Sequence, residues 1–297
     1  VGIFRYDGYT FQGYEVPEAQ GVSFSDFKED PQGRIFFTNF SGQLFFWQND
    51  KITALPLPKA CKDFGILDYD IDRRGGLWLV ANGLYFSDNL GKTWRKYSLQ
   101  NTKNKDLITK VVVDTHHKVW VLADALYTLA GQEFVRIDPL IEASNLFAFG
   151  ESIWASDEKN SLVYEYSTTQ KQWSSDIGAA LQNGSGARIV NLYQDQQQHT
   201  WVLTLQGALC FASAQKPDAA PSLFMKDKFV SQVLHDREGN YWFATIGDGL
   251  FVAPNIHILN FSTDNSFLPS NQINCLAQDE QGNLFIGIDA GGLRHHD

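Results

Sequence analysis

One seven-residue template recurs along the chain. It spans Asp30 to Phe36, Asp72 to Trp78, Asp114 to Trp120, Asp195 to Trp201, Asp236 to Trp242 and Asp279 to Phe285, and each copy opens on Asp and closes on Trp or Phe. A seventh copy, Phe149 to Trp154, has a shortened turn. The aromatic anchors at 36, 78, 120, 154, 201, 242 and 285 are separated by 42, 42, 34, 47, 41 and 43 residues. After most anchors comes a small residue followed by an aliphatic one, as in Gly83-Leu84, Ala125-Leu126, Ala208-Leu209, Gly249-Leu250 and Gly292-Leu293. A two-part motif at a fixed period means one structural unit repeated, so the fold must be an array.

Each unit divides into four short strands. Strand A alternates apolar and polar residues, as in Phe229 to Leu234. A tight turn follows, in which the Asp carboxylate accepts backbone N–H groups and Gly supplies positive φ. Strand B carries the aromatic anchor, strand C begins at the small residue, and strand D brings a further aromatic such as Phe134, Trp173 or Phe261. Period-two alternation with short Gly-punctuated connections indicates strand throughout, and no window sustains a 3.6-residue period. Four antiparallel strands per unit of about 40 to 50 residues predict a propeller blade, with the strand B aromatic filling the wedge between sheets. The expected fold is therefore all-β: a seven-bladed β-propeller of four-stranded antiparallel blades, forming a single domain over 1–297. The repeats cover about 22–55, 65–97, 107–137, 145–173, 188–225, 228–261 and 273–297, with 1–14 supplying closing strands. The surplus strand C motif at Gly2 to Asp7, and an opening on Val1 rather than Met, read as a piece cut from a longer protein.

Charge and cysteine usage narrow the function classes. With 24 basic against 34 acidic residues the net charge is −10, and no basic run stands out, so nucleic acid is not an expected partner. No stretch approaches the roughly 18 apolar residues of a membrane helix, so direct membrane insertion by this segment is not expected. Cys61, Cys210 and Cys275 are too few and too widely spaced for a disulfide framework or a zinc motif. No metal or other cofactor is expected.

The repeats resemble the two-component regulator propeller family, whose usual form runs I-x-S-I-x-x-D-x-x-G-x-L-W-I-G-T-x-x-G-L-Y-R-Y-D. Ile273 to Gly287 follows it closely, with Leu268-Pro-Ser-Asn271 similar to the family's inter-blade leader, and Val230 to Leu250 and Gly2 to Phe11 follow it nearly as well. The resemblance implies a periplasmic sensor region of a histidine kinase from Bacteroidetes-type bacteria, with a membrane helix and kinase elsewhere in the full protein. The copies at 107–137 and 145–173 are degenerate, and none of the kinase motifs occurs in the chain.

Several constellations invite chemistry. The string Ser87 to Trp94 is an Asp-box-like hairpin whose polar side chains tie a turn. Asp124, Asp157, Glu158, Asp248 and Asp289 fall in or beside B to C loops, where two carboxylates on one rim would suit glycoside hydrolysis. The turn acids Asp30, Asp72, Asp114, Asp195, Asp236 and Asp279 are expected to cap hairpins on the opposite face. His116-His117 and His295-His296 are adjacent pairs, which diverge on a strand and do not share a metal. The fourth repeat enlarges its B to C loop (Ala155 to Asn160) and its D to A crossing (Ser174 to Ala187), and long loops on a rigid scaffold are where binding concentrates. The crossings at 57–63, 101–106 and 265–271 extend the same rim.

The function expected from these readings is a non-catalytic, extracytoplasmic ligand sensor, responding to an oligosaccharide or another small polar ligand. The candidate ligand-binding residues are Asn39, Asn82, Asp124, Asp157, Glu158, Lys159, Asn160, Asp248 and Asp289, all on the B to C rim. The alternatives are a propeller glycoside hydrolase or lyase, and a protein-interaction platform with no small ligand. A homodimer of the full-length protein is a further expectation.

Overall fold

The strands of the computed structural model run in chain order as the repeat predicts. It describes all residues except 1, 17, 100–107, 138–142, 151, 158–160, 169–170, 175–187, 213–220, 255, 257–262, 264–265, 280, 289–291 and 297, and only the backbone of 292–296. A hairpin of β1 (Ile3–Tyr6) and β2 (Phe11–Tyr14) comes first. The first blade is β3 (Phe24–Glu29), β4 (Ile35–Asn39), β5 (Leu44–Gln48) and β6 (Lys51–Ala54), followed by a short helix α1 (Lys59–Phe64). The second is β7 (Asp68–Ile71), β8 (Leu77–Ala81), β9 (Gly83–Ser87) and β10 (Arg95–Tyr97), and the third β11 (Lys110–Val113), β12 (Val119–Leu122), β13 (Leu126–Ala130) and β14 (Glu133–Ile137). The fourth is β15 (Asn145–Phe149), β16 (Ser152–Asp157), β17 (Leu162–Ser167) and β18 (Gln172–Ser174), and the fifth β19 (Ile189–Gln194), β20 (Thr200–Thr204), β21 (Gly207–Phe211) and β22 (Ser222–Phe224). All five are four-stranded, each strand beside its predecessor. The sixth sheet, β23 (Val230–His235), β24 (Tyr241–Thr245) and β25 (Gly249–Ala253), has three described strands, because its expected fourth around Phe261 lies outside the described residues.

The fold is an all-β propeller, and its blade count corrects the expectation. Residues 1–234 with 243–251 form one compact unit, and residues 235–242 with 252–297 a second. The propeller has six blades, not seven. The last repeat folds as β26 (Ile273–Gln278), β27 (Leu284–Ile288) and β28 (Gly292–His296), a three-stranded sheet of the second unit. Its strands pair in chain order, Leu276 opposite Ile286 and Phe285 opposite His295, so this copy keeps the strand pattern of the repeat inside that second unit.

Packing in the first unit is a succession of inter-blade interfaces. Phe36 and Leu44 of the first blade meet Tyr69, Leu77 and Leu79 of the second. Trp78, Val80 and Leu84 meet Val111, Val119, Val121 and Phe134 of the third. Trp120 packs with Leu146, Ile153 and Tyr166 of the fourth, and Trp154 with Ile189, Leu192 and Val202 of the fifth. Trp201 lies edge-on to Phe243 at 5.6 Å. These five anchors, Phe36, Trp78, Trp120, Trp154 and Trp201, thus enter the wedge toward the following blade, as the repeat requires. Burying such a ring removes a large apolar surface from water at each interface, and truncating one costs about 3–5 kcal/mol.

The turn aspartates cap their hairpins identically. In every case Oδ1 accepts two backbone N–H groups, from the residues two and four positions on: Gln32 and Arg34 for Asp30 (both 2.9 Å), Arg74 and Gly76 for Asp72 (2.8 and 2.9 Å), and Glu238 and Asn240 for Asp236 (2.9 and 2.8 Å). Asp114, Asp195 and Asp279 repeat the pattern at 2.9 Å. In the Asp-box string, Ser87 Oγ accepts the Gly91 N–H at 2.9 Å, Asn89 Oδ1 accepts that of Thr93 at 3.0 Å, and the Trp94 indole N–H donates to the Pro56 carbonyl at 2.9 Å. Both motifs are structural.

Candidate functional site

The inner strand of a blade alternates sides, so every second residue leaves the sheet interface. Counting back from the turn aspartate, the positions four and two before it are Asp26 and Lys28 on β3 and Asp68 and Asp70 on β7, with Lys110 on β11 and Asn191 on β19 at the fourth position. All six line one cavity of about 810 Å³, together with Asn145 of β15. A cavity of this size suits a small-molecule ligand, for which about 300–1,000 Å³ is usual.

Its polar floor is a charge network. Lys28 Nζ donates to the Tyr69 carbonyl and to Asp70 Oδ1 at 3.3 Å, and lies 3.9 Å from Asp26 Oδ1. Asp68 Oδ2 accepts the Val111 N–H at 2.9 Å, and Asp70 Oδ2 that of Val113 at 2.6 Å. Burial works against the Lys28 charge, but the carboxylates of Asp70, Asp26 and Asp68 outweigh it and hold the pKa above the ordinary lysine value. Burial pushes Asp68 up to about 6 despite Lys28 and Lys110 nearby, and raises Asp26 in the same direction. Asp26 sits at φ 55, inside a register shift between Ser25 and Lys28. A bulge of this kind re-aims the side chain it carries.

The mouth is shaped by the β4–β5 loop and α1. Phe40 and Phe64 both line the cavity and are 86% and 60% exposed. Sequence periodicity gave no sign of α1, a single turn and a half in a segment expected to be a crossing loop. It ends at Gly65, φ 72, whose N–H returns to the Cys61 carbonyl at 2.9 Å.

Of the five described residues expected to bind ligand, Asn39 lines this cavity, and its side chain is held by Gln43, whose N–H it accepts at 2.9 Å. Asn82 offers its carbonyl to the Tyr85 hydroxyl, and Asp124 its carboxylate to Tyr127 at 2.8 Å. Asp157 is buried at the end of β16, and Asp248 pairs with Lys228 at 3.0 Å. Glu158, Lys159, Asn160 and Asp289 lie outside the described residues, as does most of the enlarged crossing after Ser174. The residues that sequence reasoning missed sit one strand further in. Their signal was available: charged side chains at constant offset before the turn aspartate in three successive repeats.

Among the described residues no group of His, Cys, Asp or Glu is arranged to hold a metal, and no helix is long and apolar enough to cross a membrane.

Residues 268–290 match the family model described as the two-component regulator propeller. The chain carries that repeat. No curated protein matches it in sequence. Among solved structures, the chain is similar to the extracellular domain of a putative one-component system from B. thetaiotaomicron, at 16% identity and a TM-score of 0.64 over 99% of this chain and 41% of that one. The extracellular domain of a putative hybrid two-component system from the same organism matches at 14% identity and a TM-score of 0.60, over 94% and 41%. The chain thus spans about two fifths of the length of these domains. A catalytically inactive virginiamycin B lyase from Staphylococcus aureus, solved with quinupristin, matches at 14% identity and a TM-score of 0.64, over 81% of this chain and 83% of that one. At these identities the likeness is one of fold.

Proposed function

We propose that the propeller is the extracytoplasmic, ligand-sensing region of a two-component sensor, with no catalytic role of its own, and that its cavity receives a carbohydrate-like ligand. The observation that carries the reading is the cavity itself, where inner strands of five blades converge on charged and amide side chains beneath two exposed phenylalanines. Carboxylates and amides suit hydroxyl groups, and an exposed ring suits the apolar face of a sugar. The regulator propeller repeat and the likeness in fold to extracellular sensor domains support the signalling role.

A thermal-shift screen of the chain against a glycan library tests this. A ligand at 100 times its Kd adds about 2.7 kcal/mol of stability. The shift is expected to vanish in the Asn145→Ala, Asn191→Ala double variant and to weaken in Phe64→Ala. Binding that survives both changes would place the site elsewhere. The fold shared with a lyase over most of both chains keeps one catalytic reading in play, and turnover of the bound glycan, lost on Asp68→Asn, would establish it.

A further inference from the structure

The charges in the cavity are not equally committed. Asp70 is fully used, one oxygen on Lys28 and the other on the Val113 N–H. Lys28 is used in turn, on Asp70 and the Tyr69 carbonyl. Lys28 and Asp70 therefore form an internal pair. Three charged groups remain. Asp68 has one oxygen on the Val111 N–H, and Asp26 has only the Lys28 ammonium at 3.9 Å. Lys110 makes no ion pair or side-chain hydrogen bond among the described residues. Two carboxylates against one ammonium leave a surplus of one negative charge facing the cavity.

Resting on the ligand reading above, we propose that the cavity selects a saccharide bearing one basic amine, its ammonium seated against Asp26 and Asp68. A ligand carboxylate would have to approach Lys110 through the field of those two acids. A divalent cation would face the ammonium groups of Lys28 and Lys110 within the same cluster. A single ammonium meets neither obstacle, and the overall charge of −10 adds long-range attraction for it. The bulge at Asp26, where φ is 55, re-aims that carboxylate among the residues that line the cavity. Asn145 and Asn191 also line the cavity, the Asn191 amide donating to the Ser231 carbonyl at 3.3 Å.

The test compares three monosaccharides on one ring framework: glucosamine, N-acetylglucosamine and glucuronate, titrated against the chain near neutral pH by calorimetry or ligand-detected NMR. Glucosamine is expected to bind about tenfold more tightly than the other two, a difference of about 1.4 kcal/mol. Asp26→Asn and Asp68→Asn, which keep side-chain shape, are each expected to abolish that preference. Equal or tighter binding of N-acetylglucosamine or glucuronate, lost in the Asn145→Ala, Asn191→Ala variant, would overturn the charge selection and leave the sugar site standing. Failure of all three to bind a folded chain would count against both.

Discussion

The Asp68 carboxylate on β7 accepts the backbone N–H of Val111 on β11 at 2.9 Å, a side chain of one blade serving the main chain of the next. Asp70 repeats the bond to Val113, and Lys28 reaches Asp70 from the first blade. The inner strands of neighbouring blades belong to separate sheets, so no ladder joins them, and these carboxylates occupy the gap. The cavity wall and the seams between three blades are therefore the same residues.

Removing one member should be costly. Asp70→Ala leaves the Val113 N–H and the Lys28 ammonium without their partner, and a buried or half-buried orphan costs about 1–3 kcal/mol. Chemical denaturation is expected to show a loss of about 2–3 kcal/mol. The Lys28→Met, Asp70→Leu double variant should recover part of that loss, because it removes the charges together. A midpoint unmoved by Asp70→Ala would show that the lacing carries no stability.

Asp68 predicts a pH dependence with a definite sign. Its pKa is about 6 in the folded chain and near 3.8 when unfolded, so between those values the folded state holds a proton that the unfolded state releases. The contribution is greatest below pH 4 and disappears as pH rises through 6. At about 1.4 kcal/mol per unit it amounts to at most about 3 kcal/mol, and to less where water reaches the half-buried carboxylate. Comparing wild type with Asp68→Asn by denaturation across this window should show that slope only in wild type.

Asp236 titrates in the opposite sense. Burial opposes its charge, but hydrogen bonds from Trp242 at 2.7 Å, from the Asn240 side chain and from the backbone hold its pKa at about 2. The stability it contributes is present above pH 3.8 and lost as pH falls toward 2. Trp242 fluorescence should report acid loosening of this turn in that window, and Asp236→Asn should remove the titration. A signal flat from pH 4 to 2 in wild type would contradict the assignment.

How far the sequence foretold this molecule depends on which contacts set each feature. The Asp-to-Trp turn is local, closed within seven residues, so its hydrogen bonds could be written from spacing alone, and Trp120, Trp154 and Trp201 went to the wedges expected. Blade number was not local. Ile273 to Gly287 matches the repeat closely, yet its three strands belong to the second compact unit, and which unit a strand joins depends on long-range contacts that a motif does not encode. The cavity was not legible in the sequence for a similar reason. Loop length pointed to the rim, whereas Asp26, Lys28, Asp68 and Asp70 look like ordinary strand A polar residues until five inner strands are brought around one cavity. α1 is too short to show a helical period.

The turn aspartates should differ in worth despite their common Oδ1 pattern. At Asp114 the second oxygen also accepts the buried Trp120 indole N–H at 2.9 Å, whereas the Trp78 indole nitrogen, six residues after Asp72, is buried with no partner. Asp114→Ala should therefore cost about 2–3 kcal/mol and Asp72→Ala about 1 kcal/mol less, the value of one buried hydrogen bond. Equal losses in thermal or chemical unfolding would deny the indole bond any role.

A final ordering concerns two glycines with the same backbone sign and different surroundings. Gly91 has φ 76, and a Cβ there would stand 2.4 Å from the Pro56 carbonyl oxygen, the atom to which Trp94 donates. Gly33 has φ 73 with nothing within 4 Å of the same position. Both pay the left-handed backbone cost of an L residue, about 1 kcal/mol. Only Gly91→Ala must also push away the segment leading out of the first blade and break the Trp94 bond, for a total of about 3 kcal/mol. Parallel denaturation of the two variants should separate them by about 2 kcal/mol; a gap near zero would mean that the Asp-box hairpin yields without cost and does not tie the second blade to the first.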